Sequence, residues 1–148
     1  MPIQAVGAVG VRGTIELDPD LADGLLDLAA ISHLILIYHF HRIEGRALVV
    51  TPFMDDRPHG VFATRSPKRP NAIGISTVRL VGIRGTTLDI EDVDMLDGTP
   101  LLDMKPYVPA LDDRAGARTG WYADRVQRVA EIRSDTRFAA DAPDRPNG

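Results

Sequence analysis

The residues best suited to chemistry lie between Gly60 and Gly74, in the run GVFATRSPKRPNAIG. Two prolines, three cations, two hydroxyls and an amide occupy these fifteen residues, with strand-like apolar segments on either side. Pro67 and Pro70 fix their own φ angles and keep the residues before them extended, so this loop has little backbone freedom. A rigid, cation-bearing loop is suited to holding a polar ligand in one pose. A solvated surface turn is the alternative that the same composition allows.

A second polar segment, Asp94 to Pro100, has the sequence DMLDGTP and lies between two apolar runs. Its Asp-Gly-Thr core exposes backbone N–H groups that can bind a ligand, and Pro100 stiffens the exit. The same residues would serve equally well as a hairpin turn. Just beyond, Asp103 and Lys105 could form an ion pair on an edge strand without any catalytic role.

Other familiar chemistries find little support in the sequence. His39 and His41 fall on one face of a predicted strand, a spacing that metal sites use, but no HExxH or carboxylate–histidine cluster accompanies them. Histidines in a buried strand are more often hydrogen-bonded core residues, so no metal site is predicted. The chain has no cysteine, no GxSxG elbow, no dinucleotide fingerprint and no Walker A motif. Thiol catalysis and the common nucleotide-binding loops are therefore excluded.

Length and composition indicate one ordinary globular domain. The chain has 148 residues, of which 44% are hydrophobic and 26% are charged, which is typical of a soluble protein. No apolar run approaches the roughly 18 residues of a membrane span, and no secretory leader is evident. We therefore expect a cytoplasmic protein without membrane contact, with a domain over residues 1–138 and a flexible tail over residues 139–148.

The charges are distributed in two blocks. Six cations and no carboxylate lie between Arg57 and Leu88, and six carboxylates and no cation lie between Asp89 and Asp103. The net charge of −4 argues weakly against broad nucleic-acid binding, but a locally basic patch on an acidic protein can still bind phosphate. Mutual neutralisation of the two blocks is an equally good interpretation.

Short apolar segments separated by glycine or proline predict mostly β-structure. Strands are predicted at 11–17, 33–41, 47–51, 60–64, 73–83, 87–93 and 101–107. In the strand at 33–41, Leu34, Leu36, Tyr38 and Phe40 share one face. Helices are predicted from Asp18 to about residue 30, with Asp18 as N-cap and Pro19 in the first position, and at 122–133. This pattern favours a small, mostly antiparallel β-barrel with one or two peripheral helices.

Two long runs, GVFATRSPKRPNAIGIS and DMLDGTPLLDMKPYVP, resemble the paired motifs of the TsaA-like (TrmO) family. The upstream segments at 12–17 and 31–41 and the pair Gly120-Trp121 agree, so the resemblance spans roughly residues 4–121. It implies a single-sheet antiparallel β-barrel that works as a homodimer. The family pattern usually has one more strand ahead of the stretch that begins here at Met1, so we expect an exposed sheet edge.

The resemblance also implies an S-adenosylmethionine-dependent methyltransferase. The best characterised reaction of the family methylates N6 of threonylcarbamoyladenosine at position 37 of tRNA. Activity on another RNA or on a small molecule, or RNA binding without catalysis, remains open. No general base is identified from the residues.

The site residues implied by the resemblance fall into two sets. The cofactor set consists of Ala5, Val6, Gly7, His41, Arg42, Arg65, Ile75, Gly98, Thr99, Pro100 and Leu101. The substrate set consists of Lys68, Arg69, Asn71, Lys105 and Tyr107.

Roles can be suggested for some of these residues. We expect Arg65 to pair with the carboxylate of the cofactor and the backbone of Gly98 and Thr99 to read its adenine or ribose. Ile75 and Leu101 would sandwich the adenine ring.

On the substrate side, we expect Lys68 and Arg69 to face outward toward tRNA phosphate or the threonyl carboxylate. Lys105 and Tyr107 would line the substrate mouth.

Overall fold

The computed structural model of the chain describes residues 7–128. The strands in this range are β1 Arg12–Glu16, β2 His33–His39, β3 Val49–Val50, β4 His59–Gly60, β5 Ile73–Arg84, β6 Thr87–Glu91 and β7 Leu101–Pro106. A short helix, α1, spans Pro109–Asp112. The 3-10 helical turns are Pro19–Leu25, Leu28–Ala30, Val61–Ala63, Gly120–Tyr122 and Val126–Arg128. None of the helices in this range is long and apolar enough to cross a membrane.

Five strands form one sheet in the order β1-β6-β5-β2-β7, and β3 pairs separately with β4. Every pairing is antiparallel. The prediction of a mostly β, antiparallel fold is confirmed. The expected barrel is not closed within the described residues, because closure requires the two edge strands to pair with each other. Within residues 7–128, β1 and β7 remain the open edges of the sheet.

The core lies against one face of this sheet. Leu34, Leu36 and Tyr38 of β2 are buried, as the alternation in the sequence predicts. They pack with Val78 of β5 and Ile90 of β6 in a single cluster. Burial of each large aliphatic side chain contributes about 1.5–3 kcal/mol to stability, so β2 is held firmly between its neighbours β5 and β7.

The β1–β2 connection begins as predicted but does not form the predicted α-helix. Asp18 Oδ1 accepts the Asp20 N–H at 3.2 Å, and proline follows the cap. The chain then makes two 3-10 helical turns, with Asp27 at a φ of 66° between them. Only isolated side chains of this segment, including Leu25 and Leu28, pack against the core. Without a continuous apolar face, an α-helix has little to stabilise it.

Two further predicted elements differ in the structure. In place of a strand at 60–64, β4 ends at Gly60 and a 3-10 turn follows. The Thr64 N–H and Oγ1 both donate to the Val61 carbonyl, at 3.1 and 2.8 Å, which closes this turn. The described part of the predicted helix at 122–133 consists of 3-10 turns. The rest of that helix, and the predicted tail at 139–148, lie outside the described residues.

The two charge blocks neutralise each other on the β5–β6 hairpin. Arg84 donates two hydrogen bonds to Asp89, at 2.9 and 2.7 Å. Glu91 accepts from Arg79 of β5 and, at 3.1 Å, from Arg12 of β1. These pairs bind neighbouring strands of the sheet together. The cations of the 60–74 loop belong to a different part of the molecule.

Candidate functional site

The two motifs singled out by the sequence meet at the end of β2. The His39 N–H donates to the Pro100 carbonyl at 3.0 Å, and the Phe40 N–H donates to the Ala72 carbonyl at 2.8 Å. Because β2 lies between β5 and β7, the 60–74 loop flanks it on one side and the 94–100 turn on the other. Residues far apart in the sequence are thereby assembled into one candidate site.

The loop is held in shape by its own hydroxyls. Thr64 and Ser66 are both buried, each with 5% of its surface exposed. Thr64 Oγ1 accepts the Ser66 N–H at 3.2 Å, and Ser66 Oγ accepts the Lys68 N–H at 3.4 Å. Together with the two prolines, these bonds leave the loop few alternative conformations.

Arg69 is part of this internal framework. Its Nη1 donates to the carbonyls of Val61, Thr64 and Ser66 at 3.1, 2.7 and 3.3 Å. Arg69 therefore does not simply face outward as expected, because its Nη1 folds back onto loop carbonyls while the half-buried residue also lines an open cleft. Those carbonyls are neutral, so the loop retains the positive charge of Arg69.

A buried polar network lies at the same end of the core. The hydroxyls of Tyr38 and Ser76 share a hydrogen bond of 2.9 Å, and Ser76 Oγ donates to Asp94 Oδ1 at 2.5 Å. Burial raises the pKa of Asp94, while the Ser76 hydrogen bond and the charge of Arg65 act in the opposite direction. Burial and the Asp94 carboxylate raise the pKa of Tyr38 to about 12. The exposed Arg65 therefore lies close enough to the network to interact electrostatically with it.

Sequence reasoning missed this network, although part of the signal was available. Tyr38 falls on the core-facing side of β2 in the alternation pattern. A buried tyrosine hydroxyl needs a partner, which predicts a polar residue on a neighbouring core-facing position. Identifying Ser76 and Asp94 as the partners requires the register of β5 and the path of the chain after β6.

Gly74 allows the backbone of β5 to pass against two aromatic rings. A Cβ atom at this position would lie 2.4 Å from Tyr38 Cε2 and 2.8 Å from Phe40 Cζ. The two rings meet edge to face, with their centres 5.4 Å apart. The glycine that ends the loop thus maintains the packing above the buried network.

Thr99 stabilises the 94–100 turn through hydrogen bonds within the turn. Its N–H and its Oγ1 both donate to the Leu96 carbonyl, at 3.3 and 2.6 Å. The Thr99 N–H is thus engaged within the turn, and the expected contact of the Gly98 and Thr99 backbone with adenine or ribose stays a prediction. Gly98 is exposed, with a φ of +76° that favours glycine, and a Cβ atom there would have no atom within 4 Å. The turn presents an open backbone surface at Gly98.

Ile75 and Leu101 lie on opposite faces of the sheet. Leu101 is opposite Tyr38 in the β2–β7 register and packs on the core. Ile75 is opposite Ile37 in the β2–β5 register and is 53% exposed on the other face. Side chains on opposite faces of a strand pair cannot stack on one planar ring. The expectation that these two residues sandwich adenine is wrong within a single chain.

The beginning of the described chain lies beside the 94–100 turn. The Gly10 N–H donates to Asp92 Oδ1 at 2.8 Å, and the Val93 N–H donates to the Val11 carbonyl at 3.1 Å. Gly7, of the predicted cofactor set, precedes this segment, whereas Ala5 and Val6 lie outside the described residues. Two further members of the set, the half-buried His41 and the exposed Arg42, follow the end of β2.

Lys105 and Tyr107 lie at the opposite end of the sheet. The Tyr107 N–H donates to the carbonyl of His33, the first residue of β2. At about 3.3 Å per residue, the beginning of β2 is roughly 20 Å from His39. The expectation that they line the substrate mouth is wrong within one chain, because the antiparallel register of β7 carries them away from the site. Lys105 Nζ instead bonds Asp103 Oδ2 at 2.8 Å, the edge-strand ion pair that the sequence left open.

An open cleft of about 540 Å³ adjoins the end of β2. Its lining residues are His39, Gly45, Arg46, Arg69, Pro70, Asn71, Ala72 and Ile73. Arg69 and Asn71 belong to the predicted substrate set, whereas Arg46 was not singled out from the sequence. His39 is exposed rather than part of the core. Among the described residues, no group of three or more histidine and acidic side chains is arranged to hold a metal ion.

A segment near the described C-terminal end packs behind the 60–74 loop. Trp121 Nε1 donates to the Ala63 carbonyl at 2.7 Å. The indole ring stacks on His59 and on Tyr122, with ring centres 4.3 and 3.9 Å away. Burial raises the pKa of Tyr122, and a hydrogen bond with the Arg65 backbone opposes that rise. The Trp121–Tyr122 pair thus supports the loop from behind.

Asp55 connects this segment to the strand before the loop. Its carboxylate, 3% exposed, bonds His59 Nε2 at 2.9 Å and Arg125 Nη2 at 3.2 Å. The His59 hydrogen bond is the main reason that the pKa of Asp55 lies well below its usual range. Sequence reasoning did not identify this cluster, because residues 55 and 125 are brought together only by the tertiary fold.

Residues 1–113 match the family described as tRNA-methyltransferase O N-terminal domain. This match covers well over half of the chain, and the chain belongs to this family. The resemblance stated from the two motifs is confirmed.

Individual relatives agree with this assignment. A protein of Pyrococcus abyssi named "Probable S-adenosyl-L-methionine-binding protein" is 54% identical over 138 residues, which are 93% of this chain and 75% of that protein. The "tRNA (adenine(37)-N6)-methyltransferase" of Mus musculus is 41% identical over 105 residues, or 69% of this chain and 24% of the mouse protein.

A solved structure shows the same fold. The crystal structure of TrmO from Pseudomonas aeruginosa superposes with a TM-score of 0.66 at 43% sequence identity. The superposition covers 81% of this chain and 53% of the Pseudomonas chain. The chain therefore spans about half the length of that protein.

Proposed function

We propose that this chain binds S-adenosylmethionine and transfers its methyl group to N6 of threonylcarbamoyladenosine at position 37 of tRNA. Membership of the family and the name of the mouse relative support this activity. The single structural observation that carries the proposal is the meeting of the 60–74 loop and the 94–100 turn at the end of β2. We further propose that the protein acts as a homodimer in the cytoplasm.

The residues at this site suit such a cofactor. Arg65 is an exposed residue, and the planar fork of an arginine guanidinium matches a carboxylate. Leu101 and Phe40 supply partly buried apolar surface at the same end of the core, and Gly98 supplies exposed backbone. When bound, S-adenosylmethionine supplies an electrophilic methyl group on a sulfonium. Because a cation beside a sulfonium is unfavourable, we assign Arg65 to the carboxylate end of the cofactor.

The buried network gives Arg65 a fixed electrostatic environment. The Asp94 carboxylate is held by Ser76, which in turn is held by Tyr38. This arrangement places a negative charge behind the loop, toward which the Arg65 guanidinium is attracted. A cation that is oriented before the ligand arrives loses less conformational freedom on binding.

We assign the cleft beside His39 to the methyl acceptor. Arg69 and Asn71 line it, and the half-buried Lys68 is next to Arg69 in the loop. These groups suit phosphate or the threonyl carboxylate. Methyl transfer requires the acceptor nitrogen in line with the methyl group, so positioning supplies much of the rate. We assign no general base.

Titration calorimetry with S-adenosylmethionine tests the proposal. We expect the native protein to bind it and Arg65→Ala to bind about ten- to a hundredfold more weakly, the range for losing a hydrogen bond to a charged group. Arg57→Ala is the matched control, because Arg57 is an exposed cation that precedes the loop. Absence of binding by the native protein would rule out the proposal. An equal loss of affinity in Arg65→Ala and Arg57→Ala would show that Arg65 has no specific role in binding the cofactor.

A further inference from the structure

Phe62 is a large aromatic side chain on the surface of the candidate site. It lies in the middle of the Val61–Ala63 turn, with 76% of its surface exposed. Leu48 and Val49, which are 63% and 62% exposed, belong to the segment that bonds this turn, through the Val61 N–H and the Leu48 carbonyl at 2.9 Å. Large apolar side chains exposed on neighbouring segments mark a contact site in many proteins.

The backbone that carries Phe62 is held from both sides. The Val61 carbonyl accepts from the Thr64 hydroxyl and from the Arg69 guanidinium. The Ala63 carbonyl accepts from Trp121 at 2.7 Å. The residues on either side of Phe62 are therefore fixed, so its ring can be presented to a ligand at a low cost in backbone entropy.

The ring of Phe62 adjoins the cationic cleft. The Arg69 guanidinium carbon lies 5.9 Å from the ring centre, and Arg69 also lines the cleft. Arg46 and His39 line that cleft as well, and no carboxylate is among its lining residues. The surface thus combines an exposed aromatic ring with positive charge.

We propose that Phe62 stacks on an unpaired nucleobase of the RNA substrate, while a neighbouring phosphate lies in the cleft beside Arg46 and Arg69. This inference rests on the proposed function and adds a recognition element to it. Bases in single-stranded RNA loops can be splayed out and stacked on aromatic side chains. Stacking tolerates any base, and the adjacent cations bind the backbone. The positive charge around the ring suits a polyanion, whereas a symmetric contact with a second copy of this chain would place the same cations opposite each other.

Fluorescence anisotropy with a labelled RNA hairpin that has the sequence of an anticodon arm tests the inference. We expect Phe62→Ala to bind about ten- to a hundredfold more weakly, the range for losing one base–aromatic stack, and Phe62→Tyr to restore most of the affinity. Leu26→Ala is the matched control, since Leu26 is 82% exposed on the β1–β2 connection. It should bind like the native protein.

A series of hairpins, each with one abasic loop nucleotide, identifies the stacked base. For one position in the loop, removing the base should weaken binding by the native protein as much as Phe62→Ala does. Removing the same base should not further weaken binding by Phe62→Ala. Arg46→Gln should lower the slope of log K against log salt concentration by about 1, the amount expected for the loss of one phosphate contact. If Phe62→Ala weakens binding by the same factor for every abasic hairpin, the inference is overturned.

A second result would also overturn it. If Phe62→Ala leaves RNA binding intact but changes the sedimentation coefficient, the ring covers another copy of the chain. Calorimetry of the native protein with S-adenosylmethionine separates the two proposals. Cofactor binding without RNA stacking rejects only the role of Phe62, whereas absence of cofactor binding rejects the proposed function.

Discussion

Two arginines of the same loop, four residues apart, have different roles. The Arg69 Nη1 is bonded to three loop carbonyls, so its guanidinium maintains the loop and contributes charge. Arg65 is exposed and interacts electrostatically with the buried Asp94. Substituting Arg69 would therefore disturb the loop as a whole, and Arg65 is the better residue for testing ligand binding.

Asp94→Asn should make the stability of the protein less dependent on pH. Burial raises the native pKa of Asp94 above its ordinary value of 3.8, so the native state binds this proton more strongly than the unfolded state. The contribution of Asp94 to stability is complete below pH 3.8 and is lost as the pH rises through the native pKa. The amide of the variant can still accept from Ser76 without carrying a charge.

Urea denaturation at several pH values between about 4 and 8 measures this effect. The free energy of unfolding of Asp94→Asn, relative to the native protein, should increase as the pH rises. Asp97→Asn, which removes one exposed carboxylate from the same turn, is the matched control. If the difference in the free energy of unfolding between Asp94→Asn and the native protein stays constant across this pH range, the account is contradicted.

Individual residues of the site were predictable to different degrees. The loop and the turn were identified because proline, glycine and cations are conspicuous in sequence. Orientation was not predictable, because the Arg69 Nη1 is held by loop carbonyls whose positions depend on the 3-10 turn. The opposite faces of Ile75 and Leu101 depend on a register shift between β2 and β7 at Ile37 and Tyr38, which no local pattern reveals.

At the scale of elements, the segment containing Trp121 supports the 60–74 loop. The indole bonds a loop carbonyl, and the Asp55–Arg125 ion pair anchors the same segment at a second point. Such tertiary contacts give a loop without regular secondary structure a defined conformation.

Trp121→Phe should loosen the loop while leaving the sheet intact. The phenyl ring can still stack on His59 but cannot donate to the Ala63 carbonyl. Loss of one such hydrogen bond costs about 0.5–1.5 kcal/mol, so amides of residues 61–66 should exchange about two- to tenfold faster. Hydrogen exchange measured by mass spectrometry tests this, with β2 as the internal reference and Leu111→Ala as the matched control. Unchanged exchange in the loop would show that the indole bond does not hold it.

Strands were predicted better than turns and helices. The alternation in β2 and the long apolar run of β5 reflect a sheet with one buried face, so periodicity identified them. The 3-10 turn at Val61–Ala63 depends on a side chain bonding its own backbone. The predicted helix after Asp18 failed because its leucines make only isolated contacts with the core.

At the scale of the whole molecule, an open antiparallel sheet presents its site at one end. The core lies on one face, and the described residues leave β1 and β7 as edges. Charges are neutralised across the β5–β6 hairpin, while the cleft at the end of β2 is lined by Arg46 and Arg69. This separation allows a protein with a net charge of −4 to present a local surface suited to RNA.

The most direct test of the central claim is methyl transfer by the purified protein. It would be incubated with tRNA containing threonylcarbamoyladenosine and with S-adenosylmethionine labelled in its methyl group, and the digested nucleosides analysed by mass spectrometry. The account predicts label in N6-methyl-threonylcarbamoyladenosine, and much less with Arg65→Ala. Unlabelled tRNA, from a protein that binds S-adenosylmethionine in calorimetry, would contradict the tRNA assignment and indicate a different methyl acceptor.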